Sequence, residues 1–580
     1  MERNLDKLSK TAFDLLIIGG GVYGAAAAWE AALRGLSVAL VEAADFGGAT
    51  SANSQKIAHG GLRYLQTLDL ARMRESVRER SLLLRHAPHA VVPLPCLMPT
   101  RRTGTKSRPV MAAALWANDR ISSDRKRLHK DPATFIPNSR VVSREECFRL
   151  VPTLRRDGVT GAAVWYDGQI LNTERLTLAY VLGAVEHGAE AANYVRVTEL
   201  LRENGHVAGA RVQDALSGRR FEISSRVVLN TAGPWVGRLL ERDTQSPSAS
   251  KTNSRAFLKA VNLITRPLYG RKVALGLANP VRSATSLGLI FFTPWRDRTI
   301  IGTAYTPYAG DPDECGISEE EIRVFVREVN AAFPAARLIR EDVSYVHFGL
   351  LPAARAGKPG ERVPLRKHYQ LIDHEKSEGV RGLVSVVGVK FTTARDVAEQ
   401  AIRCVMRKLG KAAGESPSRT TPLFGGTINR IDEFLANESR SRPNGLHPTI
   451  VKQLIHSYGS RYRDVLAWID EDRTMAEPVV GSSEVIRAQV RHAVRKEAAQ
   501  KLSDVVFRRT DLGTVGHPGE ACLRECAEIM AAELSWDAAR VQAELAQTRA
   551  EFRRHACMPA GAHKAAAPID VKIRHPKAAR

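Results

Sequence analysis

The chain has 580 residues, of which 44% are hydrophobic and 25% charged, as in soluble globular proteins of two or three domains. No apolar run reaches the length that a membrane-spanning helix needs, and the first residues lack the apolar core of a secretory signal. The seven cysteines show no CxxC spacing, so we expect no metal site and a reducing, cytoplasmic environment.

The net charge of +23 predicts attraction to an anionic lipid, nucleic acid or substrate, unless the arginines only solvate the surface. Basic residues concentrate in residues 101–130, around a short apolar stretch, and in residues 561–580, which we expect to be disordered. The first segment is typical of a surface element that contacts anionic lipid, with a solvated loop as the alternative. Nucleic-acid binding is disfavoured, because no helix-turn-helix, RRM or zinc spacing accompanies the charge.

The first elements predicted along the chain form a dinucleotide-binding unit. An apolar run over residues 13–18 favours a buried parallel strand, an alanine-rich helix follows over residues 25–33, and residues 37–42 form a second strand. A G-x-G-x-x-G sequence lies between the first strand and the helix. Strand, glycines, helix, strand and a final acid have the order and spacing of a Rossmann fold.

The glycines and the acid of this unit each have a mechanical reason. Gly19 permits the tight turn, Gly21 lets the backbone approach a pyrophosphate, and Gly24 lets the helix pack closely on the strand. The helix N-terminus offers free N–H groups to the phosphates. Glu42, at the end of the second strand, is placed to accept hydrogen bonds from a ribose.

The next segment bears on whether the dinucleotide is a flavin or a nicotinamide. Residues 49–56 are small and rich in hydroxyl groups, and the sequence HGGLRY follows over residues 59–64. A buried flavin needs such a second polar loop, whereas nicotinamide sites generally show none here. From these residues alone, a polar loop that caps the next helix is an equal alternative.

Three segments resemble one family. Residues 49–65, ATSANSQKIAHGGLRYL, are similar to the stretch ATSSxSSKLIHGGLRYL of the FAD-dependent glycerol-3-phosphate dehydrogenases and oxidases. Residues 227–235, VVLNTAGPW, resemble the family's second flavin strand, and residues 388–395, GVKFTTAR, resemble its closing GGKLTTYR motif. The resemblance covers roughly residues 10–555. It implies an α/β protein with a Rossmann-type FAD-binding domain, an antiparallel-sheet substrate domain and a C-terminal helical domain.

The resemblance also implies domain boundaries. We expect an FAD-dependent oxidoreductase unit over residues 10–410, in which the FAD-binding domain is discontinuous and the substrate domain comes mainly from residues 250–355. The C-terminal helical domain is expected over residues 420–555.

The resemblance implies the following site residues. Those expected to contact FAD are Gly19, Gly21, Gly24, Glu42, Thr50, Ser51, Ser54, Lys56, His59, Val195, Gly233, Gly388, Lys390 and Thr392. Those expected to serve the substrate are Arg63, Tyr64, Lys390 and Arg366, with Lys367 as an alternative to Arg366 because the alignment is ambiguous by one residue. His59 and His347 are candidate bases, although either is equally well explained as a structural histidine.

The implied activity is oxidation of sn-glycerol 3-phosphate to dihydroxyacetone phosphate by hydride transfer to the flavin, with quinone or oxygen as acceptor, on the inner membrane face in many family members. Three departures affect the substrate side: Leu351 replaces a substrate-binding arginine, Asn262 a histidine and Tyr305 an aspartate. Leucine cannot bind a phosphate, although Arg355 nearby is a candidate substitute. The alternatives are another small hydroxy or amine substrate, and a flavoprotein with mainly a binding role.

Overall fold

The computed structural model describes residues 1–123, 131–241, 256–270, 273–281, 286–358 and 361–556. The basic tail and the last residues of the basic segment 101–130 lie outside this described part. The helices are α1 Leu5–Lys10, α2 Val22–Leu33, α3 Leu70–His86, α4 Arg108–Ile121, α5 Arg144–Leu150, α6 Thr173–Glu186, α7 Val236–Glu241, α8 Glu319–Ala332, α9 His374–Glu378, α10 Ala394–Lys408, α11 Ile431–Ser441, α12 Pro448–Tyr458, α13 Tyr462–Glu471, α14 Arg487–Glu497, α15 Leu502–Asp504, α16 Glu520–Leu534 and α17 Ala538–Arg554.

The strands of the described part form two sheets. They are β1 Ala12–Ile18, β2 Val38–Val41, β3 Ile57–Ala58, β4 Val91–Thr100, β5 Arg140–Val142, β6 Gly161–Ile170, β7 Glu190–Ala192, β8 Val195–Glu203, β9 His206–Asp214, β10 Arg220–Asn230, β11 Phe257–Thr265, β12 Ala274–Ala278, β13 Ser286–Trp295, β14 Arg298–Tyr308, β15 Val343–Pro352, β16 Gln370–Asp373 and β17 Leu383–Val387. The mixed α/β architecture confirms the expected fold class.

The first sheet is the Rossmann sheet, with strand order β16-β17-β10-β1-β2-β7. β1 is parallel to β2 on one side and to β10 on the other, so that Ile18 is in register with both Val41 and Asn230. β17 continues the parallel set next to β10. The order in which the chain adds strands changes side at β1, which has β2 on one side and β10 on the other. Ligands of open α/β sheets bind at the carboxyl ends of the strands at such a switch point.

Helix α2 packs against this sheet with unusually small side chains. Ala25, Ala26 and Ala28 have no exposed surface, and Trp29 behind them is 1% exposed. Because alanine adds so little bulk, α6 and α10 both pack directly on α2. The alanine-rich stretch that predicted a tightly packed helix is therefore the centre of the main core cluster.

The second sheet is mostly antiparallel, with order β15-β11-β14-β13-β12-β4-β6-β3. It is wider than the expected residues 250–355, since β4 and β6 pair along their full length, from Val91 opposite Ile170 to Thr100 opposite Gly161. The expected bounds of 250–355 leave both of these strands outside the substrate domain. Periodicity identifies a strand but not the sheet it joins, because that choice depends on a partner distant in sequence.

Helices α11 to α17 form the C-terminal helical region. The apolar faces of α14 to α17 pack against the second sheet through a shared cluster that includes Trp295, Tyr345, Val505 and Phe552. Residues Val505–Arg509 form a π-helical turn, a rare element that often marks functional sites. Among the described residues, no helix combines the length and apolarity needed to cross a membrane, and no three or more His, Cys, Asp or Glu side chains are grouped as a metal site would require.

Candidate active site

A crevice at the carboxyl edge of the parallel sheet brings the expected cofactor residues together. They follow the ends of five parallel strands, although they are spread over nearly 400 residues of sequence. The strand and residue pairs are β1 with Gly19, Gly21 and Gly24, β2 with Glu42, β7 with Val195, β10 with Gly233, and β17 with Gly388 and Lys390. This is where a dinucleotide binds in a doubly wound sheet.

The glycine turn after β1 leaves no room for side chains. Gly19 has φ +101°, a conformation that favours glycine, and a Cβ on it would lie 2.9 Å from the backbone of Ala232. A Cβ on Gly24 would lie 1.9 Å from the Gly19 carbonyl oxygen. The first turn of α2 contains no acidic residue, so its N–H groups face an anion without competition.

Glu42 is tied to the glycine turn. Its carboxylate accepts hydrogen bonds from the N–H of Gly20 at 2.7 Å and of Ala44 at 2.8 Å. Burial raises the pKa of Glu42, while these backbone donors act in the opposite direction. Val195 lies beside it, because its N–H donates to the Glu42 carbonyl at 2.8 Å. Both residues are therefore placed where the ribose and adenine of a dinucleotide would lie.

The polar loop after β2 connects the cofactor crevice to the second sheet. Ser51 Oγ accepts the N–H of Val22 at 3.0 Å, at the start of α2. Thr50 donates its hydroxyl to the Leu350 carbonyl at 3.2 Å, in strand β15. The hydroxyl-rich stretch thus has one side on the phosphate-binding helix and the other on the substrate sheet.

Two residues of this loop differ from the expectation. Lys56 is 0% exposed, and its ammonium donates to Glu174 at 2.8 Å and to the Thr173 hydroxyl at 3.0 Å. Ser54 uses its hydroxyl to accept the N–H of Lys56 at 3.1 Å. Lys56 therefore forms a buried ion pair and has no exposed atom for a cofactor, because an isolated buried ammonium would be too costly to leave unpaired.

A tyrosine that the sequence interpretation missed closes the crevice. Tyr23, inside the glycine fingerprint, donates its hydroxyl to the Lys390 carbonyl at 2.6 Å and accepts the N–H of Lys390 at 2.9 Å and of Val389 at 3.0 Å. A Cβ on Gly388 would lie 2.0 Å from its ring. Burial raises the pKa of Tyr23 to about 12, so it stays a neutral donor. The glycine at 388 is required because this ring occupies the space of a side chain.

Two of the expected substrate residues, Tyr64 and Lys390, are in contact, and Arg72, which the sequence did not single out, joins them. The Lys390 ammonium lies 4.4 Å from the centroid of Tyr64, and the Arg72 guanidinium lies 4.6 Å from the same centroid. Arg72 also donates to the Lys367 carbonyl at 3.0 Å, which brings the loop after β15 to this place. Arg63 is exposed and has no ion pair among the described residues. An ion-paired surface role for Arg63 is thus unsupported.

The structure distinguishes Arg366 from Lys367, the two alternatives for one substrate-binding position. The N–H of Arg366 donates to the Pro352 carbonyl at 3.0 Å, next to Leu351, where the family motif has an arginine. Its side-chain Nε is buried and has no hydrogen-bond partner. Lys367 is exposed. A buried guanidinium Nε without a partner on the half-buried Arg366 favours this residue over the exposed Lys367 as the substrate-facing one.

The three departures from the family motifs lie on one face of the second sheet. In the register of β11 with its neighbours, Leu258 is opposite Leu351, Ala260 is opposite Tyr305, and Asn262 alternates with them along β11. Partners across an antiparallel pair and residues two apart share a face. The face lies toward the polar loop, since a Cβ on Gly349 would lie within 3.2 Å of Thr50.

Hydroxyl and amide groups replace charge on this face. Thr303 donates its hydroxyl to Asn262 Oδ1 at 2.9 Å. Burial raises the pKa of Tyr305, so the phenol is neutral near neutral pH. The positive charge of Arg63 acts against this rise in the pKa of Tyr305.

The two candidate bases have opposite environments. His347 is 2% exposed, and burial, with Lys56 and His555 close by, lowers its pKa well below the usual value. His59 has 48% of its side chain exposed, and its Nδ1 lies 3.2 Å from Asp167 Oδ2. Burial would raise the pKa of Asp167, but its bond to His59 and the nearby Arg80 keep it low. Only His59 has a carboxylate orienting one nitrogen and solvent at its ring.

His59 is also joined to the closing turn. Its N–H donates to Thr392 Oγ1 at 3.1 Å, two residues beyond Lys390. Thr392, predicted to contact the cofactor, therefore fixes the HGG segment against residues 388–392.

Two family models cover most of the chain. The model described as FAD dependent oxidoreductase matches residues 14–394, and the model described as C-terminal domain of alpha-glycerophosphate oxidase matches residues 416–541. The chain belongs to the FAD-dependent oxidoreductases. Its cofactor is FAD, and the crevice fits this group: the glycine turn admits only backbone, the first turn of α2 contains no acidic residue, and the Glu42 carboxylate lies beside the glycine turn.

Relatives resemble the chain over nearly its whole length. A glycerol-3-phosphate dehydrogenase of Synechocystis sp. is 31% identical over 96% of this chain and 99% of its own. The mitochondrial glycerol-3-phosphate dehydrogenase of Homo sapiens is 32% identical over 93% of this chain and 72% of its own. The solved glycerol-3-phosphate dehydrogenase of Bacillus halodurans, complexed with FAD, is 24% identical with a TM-score of 0.73, covers 95% of this chain and 98% of its own, and shares the fold.

Proposed function

We propose that the protein oxidises sn-glycerol 3-phosphate to dihydroxyacetone phosphate. The relatives named for this activity support the proposal, since they extend over both the oxidoreductase unit and the C-terminal region. The structural observation that carries it is a set of cations that form no ion pair among the described residues: Lys390, whose ammonium lies 4.4 Å from the Tyr64 centroid, the exposed Arg63, and Arg366 at the end of β15. A phosphate dianion requires such a group.

The chain's own residues have separable tasks in this proposal. Bound FAD accepts the two electrons that leave the substrate carbon. His59 takes the hydroxyl proton on Nε2, because Asp167 holds Nδ1 and thereby fixes the orientation of the ring. Arg63 and Arg366 bind the phosphate, and Lys390, held over Tyr64, supplies positive charge near the developing negative oxygen.

The direct test is anaerobic bleaching of the flavin at about 450 nm, where oxidised flavin absorbs, when glycerol 3-phosphate is added to the purified protein. Rapid bleaching supports the proposal. If the flavin stays yellow with this substrate but is reduced by dithionite, the cofactor is intact and the proposed substrate is wrong.

A second candidate, another small hydroxy or amine substrate, is favoured by the neutral face formed by Asn262, Tyr305 and Leu351. The variant Leu351→Arg separates the two candidates. If Arg366 already binds the phosphate, an added arginine brings no gain with glycerol 3-phosphate. If the natural substrate lacks a phosphate, Leu351→Arg should raise bleaching by glycerol 3-phosphate and lower it with the natural substrate class, screened among hydroxy acids and amines.

We also propose that a surface around α4 rests on anionic lipid at the cytoplasmic side of the membrane, from which quinone would accept electrons. Trp116 is 63% exposed and Val110 47%, and Arg120 lies 5.3 Å from the Trp116 ring. Leu68, 79% exposed, precedes α3, whose Arg74 donates to the Ile121 carbonyl at the end of α4. Exposed aromatic and aliphatic groups among arginines are typical of interfacial elements.

Sedimentation with vesicles that contain about a third anionic lipid tests this surface, because such attraction weakens with salt. We expect binding at low salt that Trp116→Ser reduces. The same protein in a nucleic-acid shift assay is the control. A protein that stays in the supernatant at low salt, or that binds nucleic acid equally well, contradicts the membrane proposal.

A further inference from the structure

The loop between Glu42 and Ser51 is in contact with the glycine fingerprint along most of its length. The Glu42 carboxylate accepts the Gly20 N–H, and the Gly47 N–H donates to the Gly20 carbonyl at 3.0 Å. The Phe46 ring also lies against Gly20, since a Cβ there would be 2.5 Å from its Cδ1. At its far end, Ser51 accepts the Val22 N–H. The position of this loop therefore sets the shape of the dinucleotide cradle.

The opposite side of the same loop is held by the C-terminal helical region. Asp45 is 2% exposed and accepts two hydrogen bonds from Arg509, at 2.6 and 2.8 Å, and one from Arg508 at 2.6 Å. Asn193 donates to the same carboxylate at 2.9 Å. All four hydrogen bonds are charge-assisted or buried, which makes them strong and directional.

The two arginines are themselves fixed. Arg508 donates to Asp504 at 2.7 Å, and Tyr194 donates its hydroxyl to the same carboxylate at 2.5 Å. Arg509, 0% exposed, also donates to the Glu497 carbonyl at 3.1 Å. Burial would raise the pKa of Asp45, but Arg509 and Arg508 lower it below the usual value, so the carboxylate stays ionised.

We propose that Asp45, Arg508 and Arg509 form a clamp by which the C-terminal helical region positions the loop of residues 42–51 and thereby sets the affinity of the protein for FAD. The three residues touch neither the glycine turn nor the phosphate-binding helix N-terminus. They are positioning residues that act through Glu42, Gly47 and Ser51. This role concerns the cofactor and is independent of which substrate the protein oxidises.

The chain offers a matched control. Arg175 in α6 donates two hydrogen bonds of 2.7 Å to the Glu497 carboxylate in α14, and both side chains are buried. This pair also joins the FAD-binding sheet's helices to the C-terminal region, but neither side chain contacts residues 42–51. Arg509 contacts only the main-chain carbonyl of Glu497, which the substitution keeps. Breaking the Arg175–Glu497 pair should therefore weaken the same interface without moving the cradle.

The test compares two double variants of the full-length protein, Asp45→Asn with Arg509→Met, and Arg175→Met with Glu497→Gln. Replacing both members of each pair avoids leaving a single uncompensated buried charge. The readouts are the FAD dissociation constant, from flavin fluorescence on dilution of the holoprotein, and the melting temperature of the flavin-free form. The single variant Arg509→Lys, which keeps the charge but loses the paired geometry, serves if the Asp45 double variant does not fold.

We expect the clamp variants to bind FAD about tenfold more weakly or worse, the equivalent of one lost charge-assisted hydrogen bond. The Arg175 and Glu497 variant should retain the normal dissociation constant even where its melting temperature falls as far. Excess FAD should restore the flavin spectrum of the clamp variants. The proposal is overturned if both double variants lose FAD in parallel with stability, or if the clamp variants bind FAD normally.

Discussion

The crevice has a cofactor wall and a substrate wall, and they differ in how their polar groups are satisfied. On the cofactor wall, Glu42, Ser51 and Tyr23 each hold a backbone group of a glycine turn or of α2. On the substrate wall, Arg63 and the Arg366 Nε have no such partners among the described residues. A dinucleotide binds to backbone, whose geometry the fold fixes, whereas a small anion binds to side chains that can be exchanged one at a time.

The difference explains why one wall follows the family motifs and the other departs from them. Several residues expected to contact FAD are also constrained by a contact within the protein, such as the Gly24 packing on the Gly19 carbonyl. On the substrate wall, Leu351, Tyr305 and Asn262 lie on three neighbouring strands. The pairing of these strands uses main-chain hydrogen bonds and does not depend on the three side chains. Such positions change without disturbing the sheet.

The largest effect is expected on the cofactor wall. Gly24→Ala should abolish FAD binding, because its Cβ would lie 1.9 Å from a backbone oxygen that cannot move aside independently. The measurement is the ratio of flavin to protein absorbance after purification. Gly316→Ala is the control, since a Cβ at Gly316 meets no atom within 4 Å. A yellow Gly24→Ala protein would show that the turn is less rigid than we infer.

The next effect concerns the base that lies between the two walls. His59→Asn should lower kcat by about 10²- to 10⁴-fold, the usual contribution of a general base, and leave FAD bound. Anaerobic stopped-flow reduction with glycerol 3-phosphate measures this step separately from reoxidation.

The matched variant Asp167→Asn should have a smaller effect than His59→Asn, because the base itself stays, although the variant also removes the carboxylate that pairs with the buried Arg80. His347→Asn should leave the reduction rate within a few-fold of normal, since that histidine is buried and neutral. A slow His347 variant with a normal His59 variant would reverse the assignment of the base.

A smaller effect is expected from the cations of the substrate wall. Arg366→Met and Arg63→Met should each raise KM for glycerol 3-phosphate by roughly 10- to 100-fold, as for the loss of a hydrogen bond to a charged group, with the flavin retained. Arg355→Met is the control, because Arg355 is exposed and pairs with Glu361. Arg355 was the other candidate for the missing arginine, so a large effect there would move the phosphate site to it.

The sequence predicted the cofactor wall well because its signals are local. The turn, helix and acid around Gly19 and Glu42 lie within one stretch, and their spacing alone indicates a Rossmann fold. Tyr23 and Asp45 were missed, although both stand in that stretch, because their partners Lys390 and Arg509 are hundreds of residues away. Lys56 was misassigned for the same reason: its partner Glu174 cannot be read from the neighbouring residues.

The smallest predicted effect is a difference in acid sensitivity between the walls. Burial lowers the pKa of His555 to about 4 and the pKa of His347 well below its usual value. His347 lies in β15, and His555 packs beside this strand at the end of α17. His555 forms no hydrogen bond with a carboxylate among the described residues. Its Nδ1 contacts the Val346 carbonyl at 2.8 Å, and the charged groups close to it are Arg554 and Arg508. His347 faces Lys56, Arg296 and the Ser54 carbonyl. None of these groups is a carboxylate that would stabilise a protonated His347 or His555.

The sign of the effect follows from linkage. Below about pH 6.5 the unfolded chain binds a proton on each of these histidines that the folded chain does not, so stability falls with pH until the folded pKa is reached. At about pH 5 the loss is about 2 kcal/mol for each histidine. Asp45 behaves differently, because its lowered pKa keeps its contribution intact until the pH falls below the usual range of an aspartate.

Hydrogen exchange at about pH 7.5 and about pH 5, corrected for the intrinsic rate, tests this contrast. We expect peptides of β15 and the end of α17 to lose protection at the lower pH, while those of β1 and the loop of residues 42–51 keep theirs and the flavin stays bound. His555→Phe should remove part of the loss, because the ring stacks on Tyr345 at 4.7 Å without needing a proton. Equal loss of protection in β1 and β15 would mean that the two walls open together.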